Sequence, residues 1–206
     1  MGLFVHEQLL FGQHFTLVGG LRLDLDWTRV EGVQDKAELD IFTNQVVTRD
    51  QSPVSANEPA LAISPKLSGI YTMNRDLKLF ANFGRGFVSR PARDQANGAR
   101  FWMPAATGLE LGSRWQVWDE RISLVGGLWW MHKESELIFD PEFGTSVQRG
   151  QSHRAGAELE FRIQPIKGLL FATDLFAIWT RVEHEGEWAP SPNAPTWLMT
   201  NALAYR

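Results

Sequence analysis

Residues 15–28, FTLVGGLRLDLDWT, alternate between apolar and polar side chains with a period of two. The apolar positions end on Trp27, and the polar positions carry Arg22, Asp24 and Asp26. Successive side chains of a β-strand point to opposite faces, whereas a helix would mix these charges with the leucines. The stretch exceeds the roughly 5–6 residues of a typical soluble strand and meets the roughly 9–11 that a transmembrane β-strand needs. The pattern therefore predicts a strand with one lipid-facing and one water-facing side.

The same alternation recurs along the chain and predicts about nine strands. Two of these runs are less regular: the first is blurred, and the sixth is apolar on both faces at its centre. The predicted strands cover residues 3–11, 15–28, 62–72, 77–87, 107–115, 122–139, 153–163, 169–180 and 196–205.

The connections between these strands alternate between short and long. The short ones are predicted at residues 12–14, 73–76, 116–120 and 165–168, and the long ones at 30–59, 89–106, 140–152 and 182–195. Short turns at one rim and long loops at the other are typical of up-and-down outer-membrane barrels, whereas a soluble sandwich has more even connections. We therefore predict an all-β, antiparallel up-and-down transmembrane β-barrel segment.

Composition narrows the function classes. With 44% hydrophobic and 21% charged residues, the 206-residue chain is not disordered throughout, and its net charge of −4 argues against nucleic-acid binding. The absence of cysteine excludes disulfides and thiolate metal sites. No run approaches 18 apolar residues, so no transmembrane helix is predicted. Nine tryptophans fit a membrane interface or a sugar-binding groove equally well, so a soluble all-β carbohydrate-binding module stays an alternative.

Candidate catalytic and metal-binding groups give weak signals. The five histidines form neither an HxH nor an HxxxH pattern, so we expect no metal site; they are His6, His14, His132, His153 and His184. The Gly84-Arg85-Gly86 segment lacks the frame of a phosphate loop, and no serine has a nucleophile-elbow setting. The sequence therefore predicts no catalytic residues, no cofactor and no enzyme.

Paired carboxylates on one strand face are the remaining candidates for chemistry. Such pairs can hydrolyse glycosides, but with arginines nearby they are more typical of a charged wall that faces water. A midplane Arg or Lys on the lipid face would cost roughly 2–4 kcal/mol, which assigns these residues to the inner face. The predicted lumen-facing residues are Arg22, Asp24, Asp26, Glu110, Arg114, Arg154, Glu158, Glu160 and Arg162.

Four tryptophans are placed near strand ends or in loops, where an interfacial belt is expected. They are Trp102, Trp118, Trp188 and Trp197. Stacking against a ligand in the long loops is the alternative role for them.

Several stretches resemble the barrel of TonB-dependent outer-membrane receptors. Ser64-Pro65-Lys66-Leu67 is similar to a strand of that family that opens with Ser-Pro-Lys or Ser-Pro-Arg. The segment LFANFGRGF at residues 79–87 is similar to its LYASYGRGF strand, TGLELG at 107–112 to a strand with a lumen-facing Glu, and RAGAELE at 154–160 to its RxGxELE strand. Residues 195–206 resemble a further strand, with Trp197 where His is common. The resemblance runs in order along the whole chain.

The resemblance implies a 22-strand barrel that is filled by a plug domain and takes up scarce ligands such as siderophores, cobalamin, haem or glycans through TonB. It further implies a location in the outer membrane of a Gram-negative type of cell. The lumen-facing charges would then contact the plug or line the ligand path. Residues 1–206 show no plug, no TonB box, no signal and no closing strand that ends in an aromatic residue. We therefore expect a slice of the barrel that neither closes nor transports alone; a small outer-membrane barrel is an alternative.

Overall fold

The structure, a computed structural model, describes residues 1–39, 46–88, 103–140, 145–184, 186–191 and 194–205. These residues form twelve β-strands: β1 Gly2–Phe11, β2 Phe15–Leu39, β3 Val46–Thr72, β4 Leu77–Phe87, β5 Ala105–Val117, β6 Ile122–Lys133, β7 Glu136–Asp140, β8 Thr145–Arg149, β9 Ser152–Ile166, β10 Leu169–His184, β11 Glu187–Ala189 and β12 Trp197–Tyr205. None of the described residues builds a helix long and apolar enough to cross a membrane.

Nine of these strands form one continuous antiparallel wall. Its order is β1-β2-β3-β4-β5-β6-β9-β10-β12, and every neighbouring pair is antiparallel. The short β11 pairs with the upper part of β10, beyond the end of β12. β7 and β8 form a separate hairpin between β6 and β9. The predicted all-β, up-and-down order of about nine strands is therefore confirmed, and the wall is open, with β1 and β12 at its edges.

The predicted loop at residues 30–59 is wrong. β2 and β3 pair continuously from Phe15 opposite Tyr71 to Leu39 opposite Val46, and residues 40–45 lie outside the described part. Residues 30–59 are mostly polar. They still form strands, because backbone hydrogen bonds between β2 and β3 do not require an apolar face. At about 3.3 Å per residue, the 25 residues of β2 reach about 80 Å.

The other predicted boundaries shift near the long connections. The strand predicted at 122–139 is divided between β6 and β7, and the loop predicted at 140–152 contains β8. The loop predicted at 182–195 includes the end of β10 and all of β11. Most of the loop predicted at 89–106 lies outside the described residues, and β5 begins at Ala105. In the segments 140–152 and 182–195, the alternation that marks a strand fades where the chain leaves the regular wall.

In the part of the chain that the structure describes, the wall is a single layer without a hydrophobic core. The surface area of 14974 Å² far exceeds the roughly 9,700 Å² that the size relation gives for a compact monomer of 23.3 kDa. Among the described residues, the buried hydrophobic ones are Ala62, Ala105 and Val182. A soluble sandwich needs a second sheet to cover its apolar face, and the described strands supply none. The described strands therefore do not form the two-layer sandwich in which a soluble all-β module would bury its apolar face.

The short turns join neighbouring wall strands at one rim. Gly12 has a φ of +61° in the turn between β1 and β2, a conformation that glycine adopts without steric cost. The turn between β5 and β6 holds Trp118, Asp119 and Glu120 at φ values of 56°, 51° and 64°. The strand ends that border the long connections lie at the opposite rim, so short and long connections alternate between the two rims as predicted.

Candidate functional site

The strand register sorts side chains onto two faces, because directly paired residues of an antiparallel ladder point the same way. Across four strands, Ser68 pairs with Asn82, Asn82 with Glu110, and Glu110 with Trp129. We call this side the ionic face. The neighbouring row pairs Leu111 with Leu128 and belongs to the opposite side, the apolar face.

All nine charged residues singled out from the sequence lie on the ionic face. They reach it from β2, β5 and β9, and they are Arg22, Asp24, Asp26, Glu110, Arg114, Arg154, Glu158, Glu160 and Arg162. The register therefore gathers residues that are up to 140 positions apart (162 − 22) onto one surface.

The apolar face exposes large side chains along the whole wall. Leu21, Leu23 and Leu25 are 40%, 39% and 48% exposed, whereas Asp24 on the other side of the same strand is 7% exposed. Further exposed members are Leu3, Leu9, Phe15, Leu67, Tyr71, Leu79, Leu109, Leu111, Leu128, Leu159, Trp179, Met199 and Leu203. An exposed apolar surface of this extent requires a non-aqueous partner.

Two groups of ion pairs lie on the ionic face, one on β2 and the other on β9 and β10. Arg22 donates from Nε and Nη2 to the two carboxylate oxygens of Asp24, at 2.7 and 2.8 Å. On β9, Arg162 donates to Glu160 at 2.6 Å and lies 3.7 Å from Asp174 of β10. Pairs two residues apart on one strand share a face, which brings their charges together.

Other charged groups of this face lack a partner of opposite charge among the described residues. Glu110 accepts a hydrogen bond at 3.0 Å from the amide of Asn82, which is neutral. Within the described ranges, Glu158, Asp26 and Arg114 make no hydrogen bond or salt bridge. These side chains remain free for a partner outside the chain.

A buried charge cluster lies where the β7–β8 hairpin leaves the wall. Glu136 is 9% exposed, and its Oε1 pairs with Arg154 and, at 3.5 Å, with Lys133. The cluster also holds unpartnered buried atoms: Glu136 Oε2, Arg154 Nε and the hydroxyl of the fully buried Ser152. It fixes the root of the hairpin to β6 and β9. Arg154 was recognised in the sequence, whereas Glu136 was missed because it lay inside a predicted regular strand.

Glycines form part of the floor of the ionic face, and aromatic rings lie over two of them. A methyl group at Gly112 would lie 2.3 Å from the ring of Phe80, and one at Gly156 would lie 2.6 Å from the ring of Trp129. A groove of about 1110 Å³ runs along the same region and is lined by Arg22, Lys66, Asn82, Glu110, Trp129 and Glu158, among others. It combines both signs of charge with an aromatic surface.

Two of the five histidines meet on the apolar face. His132 and His153 are direct partners on β6 and β9, with ring centroids 4.6 Å apart. Their separation of 21 residues hid this contact, which only the register reveals. In the part of the chain that the structure describes, no three His, Cys, Asp or Glu residues gather as a metal-binding group.

The tryptophans assigned to strand ends are strongly exposed where they are described. Trp118 lies in a short turn with the Arg121 guanidinium 5.3 Å from its ring centroid. Trp188 and Trp197 are 44% and 68% exposed, and Trp102 lies outside the described residues. Their roles as an interfacial belt or as ligand-stacking groups stay predictions.

An antiparallel wall with one ionic and one exposed apolar face defines a membrane β-barrel class of protein. The profile of the family described as "TonB dependent receptor-like, beta-barrel" matches residues 1–205. The chain belongs to this family, which confirms the resemblance seen in the sequence. None of the curated protein sequences matches the chain.

Solved structures of similar fold include three uptake proteins. The copper transporter OprC is 14% identical with a TM-score of 0.77, and the match covers 100% of this chain and 33% of OprC. The ferric yersiniabactin uptake receptor FyuA from Yersinia pestis is 14% identical with a TM-score of 0.73, over 98% and 30% of the two chains. The ferric-catecholate import receptor Fiu from Escherichia coli K12 is 17% identical with a TM-score of 0.71, over 99% and 31%. The chain thus spans about a third of these proteins.

Proposed function

We propose that this chain supplies nine neighbouring strands to the barrel of an outer-membrane receptor that imports a scarce ligand with the help of TonB. The single observation that carries the proposal is the division of one wall into an ionic and an apolar face. In this arrangement, acyl chains cover the leucines of the apolar face and water fills the bore on the ionic side. The role is transport rather than catalysis.

The open edges fit a contribution to a larger barrel. Every residue of β1 and of β12 is exposed, and each strand has a neighbour on one side only. Hydrocarbon does not tolerate unpaired backbone groups, so further strands must cover both edges in a membrane. The chain alone is then expected neither to close nor to transport.

The nine charged residues of the ionic face are proposed to contact a plug domain or to line the ligand path. Glu110 and Glu158 are the strongest candidates, because neither carboxylate has a cationic partner among the described residues. A basic side chain of a plug would neutralise them. Arg22 and Arg162 already form ion pairs with Asp24 and Glu160 of their own strands, so they are weaker candidates for contact with a plug or ligand.

The proposed ligand is a metal chelate such as a siderophore, with cobalamin as a related possibility. The printed names of Fiu, FyuA and OprC describe ferric-catecholate, ferric yersiniabactin and copper uptake, respectively. These names support the class of ligand, and the long connections of the wall are the part that would select among its members.

Fractionation of cells that express the chain alone tests the barrel-slice proposal. We expect no folded, heat-modifiable monomer in the outer membrane, because the two edges stay unpaired. When the coding sequence on both sides is included, a heat-modifiable outer-membrane protein is expected. A folded, membrane-inserted monomer from the isolated chain would contradict the slice and favour a small complete barrel.

Uptake in cells tests the transport proposal. Deletion of the gene should slow growth under iron or cobalamin limitation, and a tonB mutation should have the same effect without adding to it. Replacement of Glu158 by Lys should reduce uptake, because it places a cation where the plug or the ligand is expected. Glu31→Lys is the matched control, since Glu31 is exposed and pairs only with Arg29 at the far part of β2. Full growth of the deletion strain under both limitations would contradict the role.

A further inference from the structure

The structure brings together two imidazole rings that no function of the ionic face uses. His132 of β6 and His153 of β9 lie on the apolar face, near the rim that carries the long connections. We propose that this cross-strand pair binds a divalent transition-metal ion of the copper, nickel and zinc group. The site is separate from the proposed ligand path, because it lies on the other side of the wall.

The spacing of the two rings fits chelation. With metal–nitrogen bonds of about 2.0–2.1 Å and ring centres about 1.1 Å further out, two imidazoles at about 90–110° on one ion have centroids roughly 4.4–5.2 Å apart. The observed distance between the centroids is 4.6 Å, with the rings inclined by 28°. The rings are stacked, so a rotation about χ2, which is a broad torsion in histidine, must turn a nitrogen of each ring toward a common point before both bind one ion.

One ring nitrogen at the site is buried and without a partner. Nδ1 of His132 makes no hydrogen bond, whereas Nδ1 of His14 lies 2.8 Å from the carbonyl oxygen of Thr72. Buried polar atoms in proteins are normally satisfied by protein groups, water or ions. A metal ion bound by both rings would satisfy this nitrogen.

Tryptophans hold the pair in place. The ring of Trp130 is stacked 6.1 Å from His132 and 5.7 Å from His153, and Trp188 of β11 lies 5.1 Å from His153. These contacts limit how far the two imidazoles move apart, which keeps both rings within reach of one ion. The apolar surroundings also shield the metal–nitrogen bonds from bulk water on one side.

Two charged side chains of opposite sign, Arg181 and Glu183, lie on the same face close to the pair. Arg181 pairs with His153 across β9 and β10, and its guanidinium lies 5.7 Å from the centroid of the Trp179 ring, where it is engaged in a cation–π contact. Glu183 lies two residues further along the same face and partly offsets this cation. Among the described residues, the protein offers two nitrogen ligands, so water completes the coordination. Imidazole pairs suit Cu²⁺, Ni²⁺ and Zn²⁺ rather than Mg²⁺ or Ca²⁺.

Copper titration of the full-length protein in detergent micelles tests the site. We expect one Cu²⁺ per chain with two equatorial nitrogens in the electron paramagnetic resonance spectrum. His132→Gln and His153→Gln should each weaken binding at least tenfold and leave one nitrogen. His14→Gln is the matched control, because its ring lies at the opposite rim, and it should change neither value. Unchanged affinity and nitrogen count in both site variants would overturn the proposal.

A second measurement does not depend on the folding of the variants. In the unmodified protein, Zn²⁺ should protect His132 and His153 from diethyl pyrocarbonate, read by mass spectrometry, while His14 reacts at the same rate with and without the ion. Equal modification of the pair in the presence and absence of Zn²⁺ would show that the rings are stacked without binding a metal.

Discussion

At the scale of single residues, glycine positions decide how closely neighbouring strands of the ionic face approach. Gly156 has no space for a side chain: a methyl group there would lie 2.5 Å from the carbonyl oxygen of Ala177 and 2.6 Å from the Trp129 ring. Gly84 lies on the same face, and a methyl group there would meet nothing within 4 Å. Both glycines lie within strands, but only Gly156 is at a position where a larger side chain would clash.

Replacement of Gly156 by Ala should lower the free energy of unfolding by about 1–3 kcal/mol, because the methyl group overpacks against backbone that cannot yield easily. Urea unfolding of the membrane-inserted barrel, followed by tryptophan fluorescence, measures the change. The control Gly84→Ala should be neutral or stabilising by up to about 1 kcal/mol, since the unfolded chain loses freedom. Equal effects at both positions would contradict the close contact at Gly156.

At the scale of elements, the strands were predictable where one face had to be apolar and the other ionic. Residues 15–28 and 153–163 show this alternation, and both lie within observed strands. Residues 30–59 were missed because a ladder beyond the apolar region is held by backbone hydrogen bonds, which leave no periodic mark on the side chains. Contacts across the register, such as the meeting of His132 and His153, were also out of reach, since alternation fixes the face but not the partner.

The hairpin of β7 and β8 depends on a buried carboxylate at its root. Glu136→Gln should weaken the attachment by about 1–3 kcal/mol, because it leaves the charges of Lys133 and Arg154 without their acidic partner. Hydrogen exchange should then become faster in the peptides that cover the hairpin and stay unchanged in β2 and β3.

The matched change Glu31→Gln removes an ion pair with Arg29 in which both side chains are more than 60% exposed. Exposed pairs contribute at most about 1 kcal/mol, so hydrogen exchange near β2 should hardly change. If both variants had the same small effect, the buried cluster would not be what holds the hairpin.

At the scale of the whole molecule, the two faces of the wall need different surroundings. The described strands supply no second layer, and large apolar side chains are exposed from β1 to β12. The ionic face carries its charges partly paired within the wall, through Arg22 with Asp24 and Arg162 with Glu160. A barrel in a bilayer places lipid against the apolar face and water against the ionic face. The two faces of the wall are therefore those expected of the receptor-barrel family.

A charge placed on the apolar face should therefore cost far more than one on the ionic face. Leu128→Arg, at a side chain that is 64% exposed, should destabilise the membrane-inserted barrel by roughly 2–4 kcal/mol if the position is near the midplane. Ser68→Arg, on the ionic face of β3, should change stability by less than about 1 kcal/mol, because water hydrates the new charge.

Unfolding of both variants in lipid vesicles, compared with that in short-chain detergent, measures the difference. The penalty at Leu128 should grow with the thickness of the hydrocarbon layer, and the effect at Ser68 should not. If Ser68→Arg were more destabilising than Leu128→Arg, the ionic face would be the one that contacts lipid.

The length of β2 and β3 determines which of their positions a bilayer would constrain. Their ladder reaches about 80 Å, whereas a strand tilted by about 45° crosses the roughly 30 Å of hydrocarbon in about 40 Å, so about half of the ladder lies outside the apolar layer. Substitutions at residues 30–39 and 46–59 are therefore expected to leave membrane insertion unchanged. The wall beneath this ladder should tolerate far fewer substitutions, because lipid on one face and water on the other restrict its side chains.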